Sequence, residues 1–475
     1  MIACDRVAAF HTRPQCFFFH GKDDPMKKRW ATLVLRSAFF AAVIVAPATS
    51  PAQPPKPSVE PTAPKLSADQ TEKNIALFDM VWTTIRDTHF DPGLGGVDWN
   101  AVRAEFRPRV AKAATLDDAR LAMTLAIKRL GQSHFAIIPS EAYKSLQNPS
   151  AGPGETGLDL RIIGGQAVVA GVLDDSPAAD AKIATGWIVE KIGNATTAEI
   201  LRAVEKAYAG SDMLRSYKAL VVQSRLSGPI GQTVAIDVLD AQDRPRHIDL
   251  KLASPHGVVS TFGNLPPLSV RFVSKRLDKS IGYVSLNIFL DAVRVLELFG
   301  KAMNEHADSE GLVLDLRGNP GGVGAMAIGL GGWLASGDDE QKLGTMITRD
   351  SSLHFSLNPR SGAFTGPVAI LVDEMSMSTS EILAGGLKDL GRARVFGVKT
   401  PGAALPSRLE MLPNGDRFQH AFANYISTGG KPLEGVGVAP DEPIELDRAS
   451  LLAGRDPVID AAIHWIRQKT PRTKS

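Results

Sequence analysis

The sequence predicts a multidomain α/β protein with an N-terminal helical domain, a β-rich domain and a larger α/β domain. Three observations predict it. At 475 residues the chain is longer than one ordinary core supports. Beyond residue 66, apolar residues recur first at helical spacing and then in short runs broken by glycine turns. From about residue 265, strand-like runs alternate with amphipathic helices. Hydrophobic residues at 44% and charged ones at 22% are those of a globular protein. The net charge of +2 gives no ground for a nucleic-acid partner.

The N-terminus reads as a leader. Met26-Lys27-Lys28-Arg29 is a basic start, residues 31–46 are apolar apart from Thr32, Arg36 and Ser37, and Ala46-Pro47-Ala48 offers a small-x-small cleavage site. That is the pattern of a secretory signal peptide over residues 1–48, with Met26 as the expected start. The chain is therefore expected to be exported, periplasmic or extracellular, and held near a membrane if the leader stays uncleaved. Both cysteines, Cys4 and Cys16, lie upstream of Met26, so disulfides, thiol catalysis and thiolate metal sites are not expected in the mature chain. Residues 49–65, with "PAQPPKPSVEPTAP", read as an extended linker.

The helical domain is expected over 66–150. Ile75, Phe78, Val81, Trp82 and Ile85 share a face of a helix over 68–88. Thr115 with Asp118 starts a further helix that stops at Gly131, and "HFAIIP" follows as a short strand.

Residues 155–254 alternate short strands and glycine turns, add one helix and close with the hairpin "QTVAIDVLDAQDRPRHIDLKL". Through "DSPAADAKIATGWIVEKIGN" this stretch resembles a PDZ domain. The resemblance implies peptide capture by strand addition, with Gly157 and Leu158 in the carboxylate-binding loop. Asp159 stands where many such loops carry glycine, and its charge opposes a carboxylate.

In the domain expected over 265–470, "IGYVSLNIF", "GLVLDLR" and "PVAILVDE" read as strands, and "DAVRVLELFGKAM" and "SEILAGGLKDL" as helices. "RFQHAFANYIS" reads as one late strand and "PVIDAAIHWIRQ" as a closing helix. Two strand ends carry chemistry. Arg317-Gly318-Asn319-Pro320-Gly321-Gly322 is either a plain turn or a place where backbone amides approach a substrate oxygen. Ser376, Ser378 and Ser380 precede a helix, so Ser378 is either half of a capping box with Glu381 or a nucleophile at a positive helix end.

"DLRGNPGG", "VDEMSMSTSEILAGGLKDLGRARVFGVKTPG" and "LEGVGVAPDE" together resemble the signatures of one serine-peptidase family, that of the C-terminal-processing (tail-specific) proteases and the tricorn protease core. The resemblance implies a ClpP/crotonase-like catalytic domain, Ser378 as nucleophile, and an oxyanion hole from the Thr379 amide with Gly321 or Gly322. The tail-specific branch brings a lysine base in a Thr-Phe-Gly-Lys-Gly segment. Here the segment is Thr400-Pro401-Gly402-Ala403-Ala404, and alanine cannot accept a proton. The tricorn-like branch uses a Ser-His pair and a glutamate, which fall on Ser133, His134 and Glu434. A histidine at the start of a strand can equally be structural. Lys399 and His420 are the rival bases, and Asp441, Glu442, Asp389 and Glu381 are expected to be scaffold.

The expected function is that of an exported serine endopeptidase acting on peptides or proteins, with His134 as general base for Ser378 and no metal or organic cofactor. The alternative is a non-catalytic peptide- or hydrophobic-ligand-binding protein on the same scaffold.

Overall fold

The computed structural model describes residues 66–141, 153–335 and 341–470. The leader, the linker and both cysteines lie outside these residues. No helix among them is long and apolar enough to cross a membrane.

Three helices open the described chain: α1 Ala68–Thr88, α2 Trp99–Ala111 and α3 Leu116–Ile127. Their apolar faces meet in one core that includes Phe78, Trp82, Ile85, Phe106 and Met123. Burying each such side chain contributes about 1.5–3 kcal/mol relative to exposure. Thr115 and Asp118 form the expected capping box. The chain then leaves α3 through a short 3-10 turn, and Gly131, at φ +65°, reverses it. Leu412 and Phe418, almost three hundred positions downstream, complete this core. The strand β1 Ala136–Ile138 also pairs far ahead, with Gln419 opposite Ala136.

Next comes an antiparallel sheet of β2 Leu158–Ile163, β3 Gln166–Val172, β4 Ile188–Ile192, β5 Thr233–Leu239 and β6 Pro245–Lys251, in that spatial order. Two long helices pack on it rather than the single one expected, α4 Thr197–Ala207 and α5 Leu214–Ser224, besides one short turn of helix at Pro177–Asp180. The second is less periodic in sequence, because serine, tyrosine and glutamine interrupt its apolar face.

The last region is built on a sheet of β7 Phe272–Leu277, β8 Ile281–Leu286, β9 Gly311–Asp315, β12 Val368–Val372, β13 Ala393–Gly397 and β17 Glu442–Pro443, in that order. All its pairs are parallel except β7 with β8. Residues of β9 and β12 are wholly buried, which is why they read as unbroken apolar runs. Val368, Ile370 and Val372 face a core shared with α6 Ala292–Glu305, α7 Ala325–Gly331 and α8 Thr379–Asp389. Ala369 and Leu371 face α9 Pro457–Lys469 on the other side.

A hairpin of β10 Gln341–Thr348 and β11 Ser352–Leu357 completes the region together with β14 Ser407–Met411, β15 Arg417–Ala421 and β16 Ala423–Ser427. The late run "RFQHAFANYIS" is thus two strands rather than one. β15 joins β1 and β14, whereas β16 pairs with β10. Phe422 separates them, so one apolar stretch serves two sheets.

Candidate active site

β9 and β12 are parallel neighbours, with Asp315 opposite Leu371, so the loops at their carboxyl ends emerge side by side. Those loops are the glycine-rich segment and the serine segment. Hydroxyl groups fasten one to the other. Ser376 Oγ donates to the Leu316 carbonyl at 2.8 Å, Ser380 Oγ to the Asn319 carbonyl at 2.9 Å, and Thr379 Oγ1 to the Gly322 carbonyl at 2.9 Å. Ser376 and Ser380 are therefore structural. Ser378 sits between them at φ +54°, ψ −114°, a conformation a non-glycine residue holds only under the constraint of its surroundings.

Gly321 abuts Ser378. A Cβ built on Gly321 would lie 2.7 Å from Ser378 Cβ, so only glycine fits at that φ of +98°. Its amide, however, donates to Asn319 Oδ1 at 2.9 Å. Of the expected oxyanion donors, Gly321 is thus already engaged. The amides of Gly322 and Thr379 have no acceptor among the described residues.

Glu381 holds the serine loop from below. Fully buried, its carboxylate accepts from the Ser378 amide (2.9 Å), the Ala403 amide (3.0 Å), the Gly402 amide (2.7 Å) and Thr400 Oγ1 (2.6 Å). Burial pushes its pKa up to about 7 against the pull of these donors. Ala403, where a lysine base would stand, is buried, and its carbonyl accepts from the Ser378 amide at 2.9 Å. Lys399 is exposed.

The neighbouring residue continues the connection. The Ala404 amide donates to Glu434 Oε2 at 3.1 Å. The same carboxylate takes the Ser133 amide at 2.7 Å and Ser133 Oγ at 2.8 Å, and Ser133 Oγ lies 2.5 Å from His134 Nδ1. Ser133, His134 and Glu434 thus form one hydrogen-bonded cluster, to which Ser378 is joined only through its backbone amide and the 403–404 peptide link; no hydrogen bond joins its hydroxyl to His134 Nε2. Glu434 does not touch the imidazole; it reaches His134 through Ser133.

Proton counting then sets the tautomer. An ionised carboxylate only accepts, so the single Ser133 hydroxyl proton goes to Glu434, and Nδ1 of His134 must donate to Ser133 Oγ. That leaves Nε2 as the basic nitrogen. It is buried and has no hydrogen-bond partner. His134 is held at φ +62°, and burial pushes its pKa down to about 3. Burial also raises the Glu434 carboxyl, with the Ser133 and Ala404 donors opposing the shift.

His420 turns elsewhere. It is buried, stacks on Phe418, lies 3.3 Å from Thr88 Oγ1 and 3.4 Å from Glu410 Oε1. Asp441 accepts the Val395 amide, Glu442 pairs with Arg394, and Asp389 accepts the Gly429 amide, all scaffold contacts. Among the described residues, no group of His, Cys, Asp and Glu side chains is arranged to hold a metal ion.

The expected peptide loop is not open. Gly157, at φ +81°, packs so closely on Ser176 that a Cβ would lie 2.2 Å from its side chain. The Leu158 amide donates to Thr156 Oγ1 at 3.2 Å, and Asp159 pairs with Arg161.

Sequence reasoning missed Arg161 and Asp373. Arg161, on β2, donates through Nε to Asp373 Oδ2 at 2.9 Å. The other Asp373 oxygen accepts from the Gly318 and Met375 amides, each at 2.9 Å. Asp373 therefore joins both reactive loops to the β2 sheet. Its place at the end of β12 was the only available signal.

Residues 280–444 match the model of peptidase family S41, and residues 72–124 that of the tricorn protease C1 domain. A carboxyl-terminal-processing protease of a Picosynechococcus species is 26% identical over 370 residues, covering 76% of this chain and 81% of the relative. The tricorn protease homolog 1 of Streptomyces coelicolor is 26% identical over 398 residues, covering 82% of this chain and 34% of the relative. The fold is similar to that of the photosystem II D1 C-terminal processing protease, with a TM-score of 0.53 at 19% identity over 86% of this chain and 98% of that one. With these matches spanning the N-terminal helices and the region of the serine loop, the chain carries a peptidase family S41 domain and a tricorn protease C1 domain, and is a serine-type hydrolase.

Proposed function

We propose that the chain is an exported serine endopeptidase of the tricorn-like type, cleaving peptide bonds in peptides or proteins through an acyl-enzyme on Ser378. The observation that carries this reading is the basic, unpartnered Nε2 of His134, whose tautomer Ser133 and Glu434 impose. In the first step Ser378 Oγ attacks the carbonyl carbon and its proton passes to His134 Nε2. The imidazolium so formed donates through Nδ1 to Ser133, which in turn leans on the Glu434 carboxylate. The oxyanion accepts from the Thr379 and Gly322 amides. Collapse expels the amine, which takes the proton from Nε2, and water then releases the acyl group by the same steps in reverse order.

The burial of His134 keeps the base neutral at neutral pH, and Glu434 supplies the negative charge that stabilises its protonated form during the reaction. The 66–150 region supplies the base, the 265–470 region the nucleophile, and the PDZ-like 155–254 region docks extended peptide. Export rests on the leader at residues 1–48, and the relatives' names as carboxyl-terminal-processing proteases point to bonds near protein C-termini.

A fluorophosphonate probe tests the assignment. Labelling is expected in the parent protein, and its loss is expected in Ser378→Ala. His134→Ala is expected to lose most peptide hydrolysis while keeping the parent's fold by circular dichroism. Full hydrolysis by Ser378→Ala would sink the proposal.

A further inference from the structure

β2 is the outermost strand of its sheet, so the polar groups it turns away from β3 lack a ladder partner. A side chain supplies one. Gln223, near the end of α5, accepts from the Leu160 amide through Oε1 at 3.0 Å and donates through Nε2 to the Leu158 carbonyl at 2.8 Å. One donor and one acceptor at that spacing is what a residue of an added strand would offer.

The other polar groups along this stretch of edge are also taken. The Leu158 amide goes to Thr156 Oγ1, and the Leu160 carbonyl accepts from Arg161 Nη1 at 3.1 Å. The apolar wall is equally complete, with Leu158, Leu160, Ala219 and Val222 buried. An extended peptide therefore finds no free backbone group between residues 158 and 160.

We propose that Gln223 is a built-in occupant of the peptide groove, and that an extended peptide docks on β2 only by displacing this side chain. The inference rests on the peptide-docking reading of the 155–254 region and adds what holds that groove shut. The occupant it admits is peptide backbone, because the two bonds Gln223 makes are those of an amide in register with a strand edge. The apparent affinity is lowered by the fraction of molecules in which the side chain is out. Since Gln223 bonds only to the strand edge here, its removal opens the groove without removing any group the peptide would use.

The test uses the full chain carrying Ser378→Ala, so that the probe is not cut. The probe is a fluorescein-labelled decapeptide alternating valine and serine, read by anisotropy. Adding Gln223→Ala is expected to tighten binding about tenfold. In the same variant the Leu160 amide should exchange with deuterium faster, and peptide should restore its protection. Equal or weaker binding in Gln223→Ala overturns the built-in occupant and leaves peptide docking standing. Absence of binding in both proteins overturns the two together. Gln223→Met, which keeps the length without the amide, replaces the alanine variant if thermal melting shows that alanine unfolds the sheet, and the same outcomes decide.

Discussion

Arg161 and Asp373, 212 positions apart, form an ion pair at 2.9 Å with side chains only 7% and 8% exposed. Because Asp373 also gathers the Gly318 and Met375 amides, the pair ties the β2 sheet to both loops beside Ser378. Arg161→Met would leave a buried carboxylate without its cation. The expected cost is about 3 kcal/mol in unfolding free energy, with peptide hydrolysis falling as the loops lose their common anchor. Urea denaturation measures the first effect, and a loss under about 1 kcal/mol would contradict this account.

Ser133→Ala removes the hydroxyl link between Glu434 and His134 but keeps the Ser133 amide bond to the carboxylate. The expected result is a fall in kcat of about a hundredfold or more, with KM little changed, because the loss acts on charge that develops in the reaction. Ser133→Thr keeps a hydroxyl and should recover most of the rate. If alanine and threonine behave alike, the link carries no function.

Ala403→Lys restores the residue that a lysine-based site would have. In this protein the position is buried beside the Glu381 carboxylate and the Ser378 amide. The larger, charged side chain should destabilise by about 1–3 kcal/mol and give no gain in kcat. A gain in hydrolysis in the double variant His134→Ala, Ala403→Lys over His134→Ala would show that the lysine geometry is still accessible.

Acid should destabilise the protein through His134. Its folded pKa of about 3 lies below that of a free imidazole near 6.5, so the unfolded chain takes up a proton that the native one refuses. The contribution is complete above about pH 6.5 and is lost as pH falls toward 3, at up to about 1.4 kcal/mol per pH unit. Urea titrations of the parent and of His134→Asn between about pH 7 and pH 5 should diverge with acid. Parallel curves would place His134 in a more solvated setting.

Glu381 has the opposite sign in stability. Its folded pKa of about 7 lies above the free value, so its contribution is complete below about pH 4.5 and is lost as pH rises through 7. Its effect on activity runs the other way. The ionised form accepts from four donors around Ser378 and residues 400–403, whereas a protonated oxygen must give up one. An acid limb in kcat/KM centred near pH 7 is expected, and it should be absent from a uniformly weak Glu381→Gln. A flat parent profile across that range would remove Glu381 from the account.

Much of this architecture is legible in the chain because it is local. The helix over 68–88, the Thr115–Asp118 capping box and the strands ending at Asp315 and Val372 follow from periodicity and turn chemistry alone. Ser133, His134 and Glu434 stand out only through the resemblance to the tricorn-like branch, once Ala403 has removed the lysine. What stayed hidden depends on distant partners. Arg161 and Gln223 look like ordinary polar residues until β2 is set against Asp373 on one side and α5 on the other. The split of residues 417–427 between two sheets is likewise invisible, since both halves alternate alike and only their partners differ.

The helical core that closes on Leu412 and Phe418 has a consequence for the order of synthesis. The helices are made well before Leu412 and Phe418, so their interior stays incomplete until those residues follow. The strand that follows His134 must wait as well, for residues 417–419. Contacts of such long sequence separation are slow to form. A nascent chain therefore carries His134 without the strand partner beside it until residues 417–419 have been made.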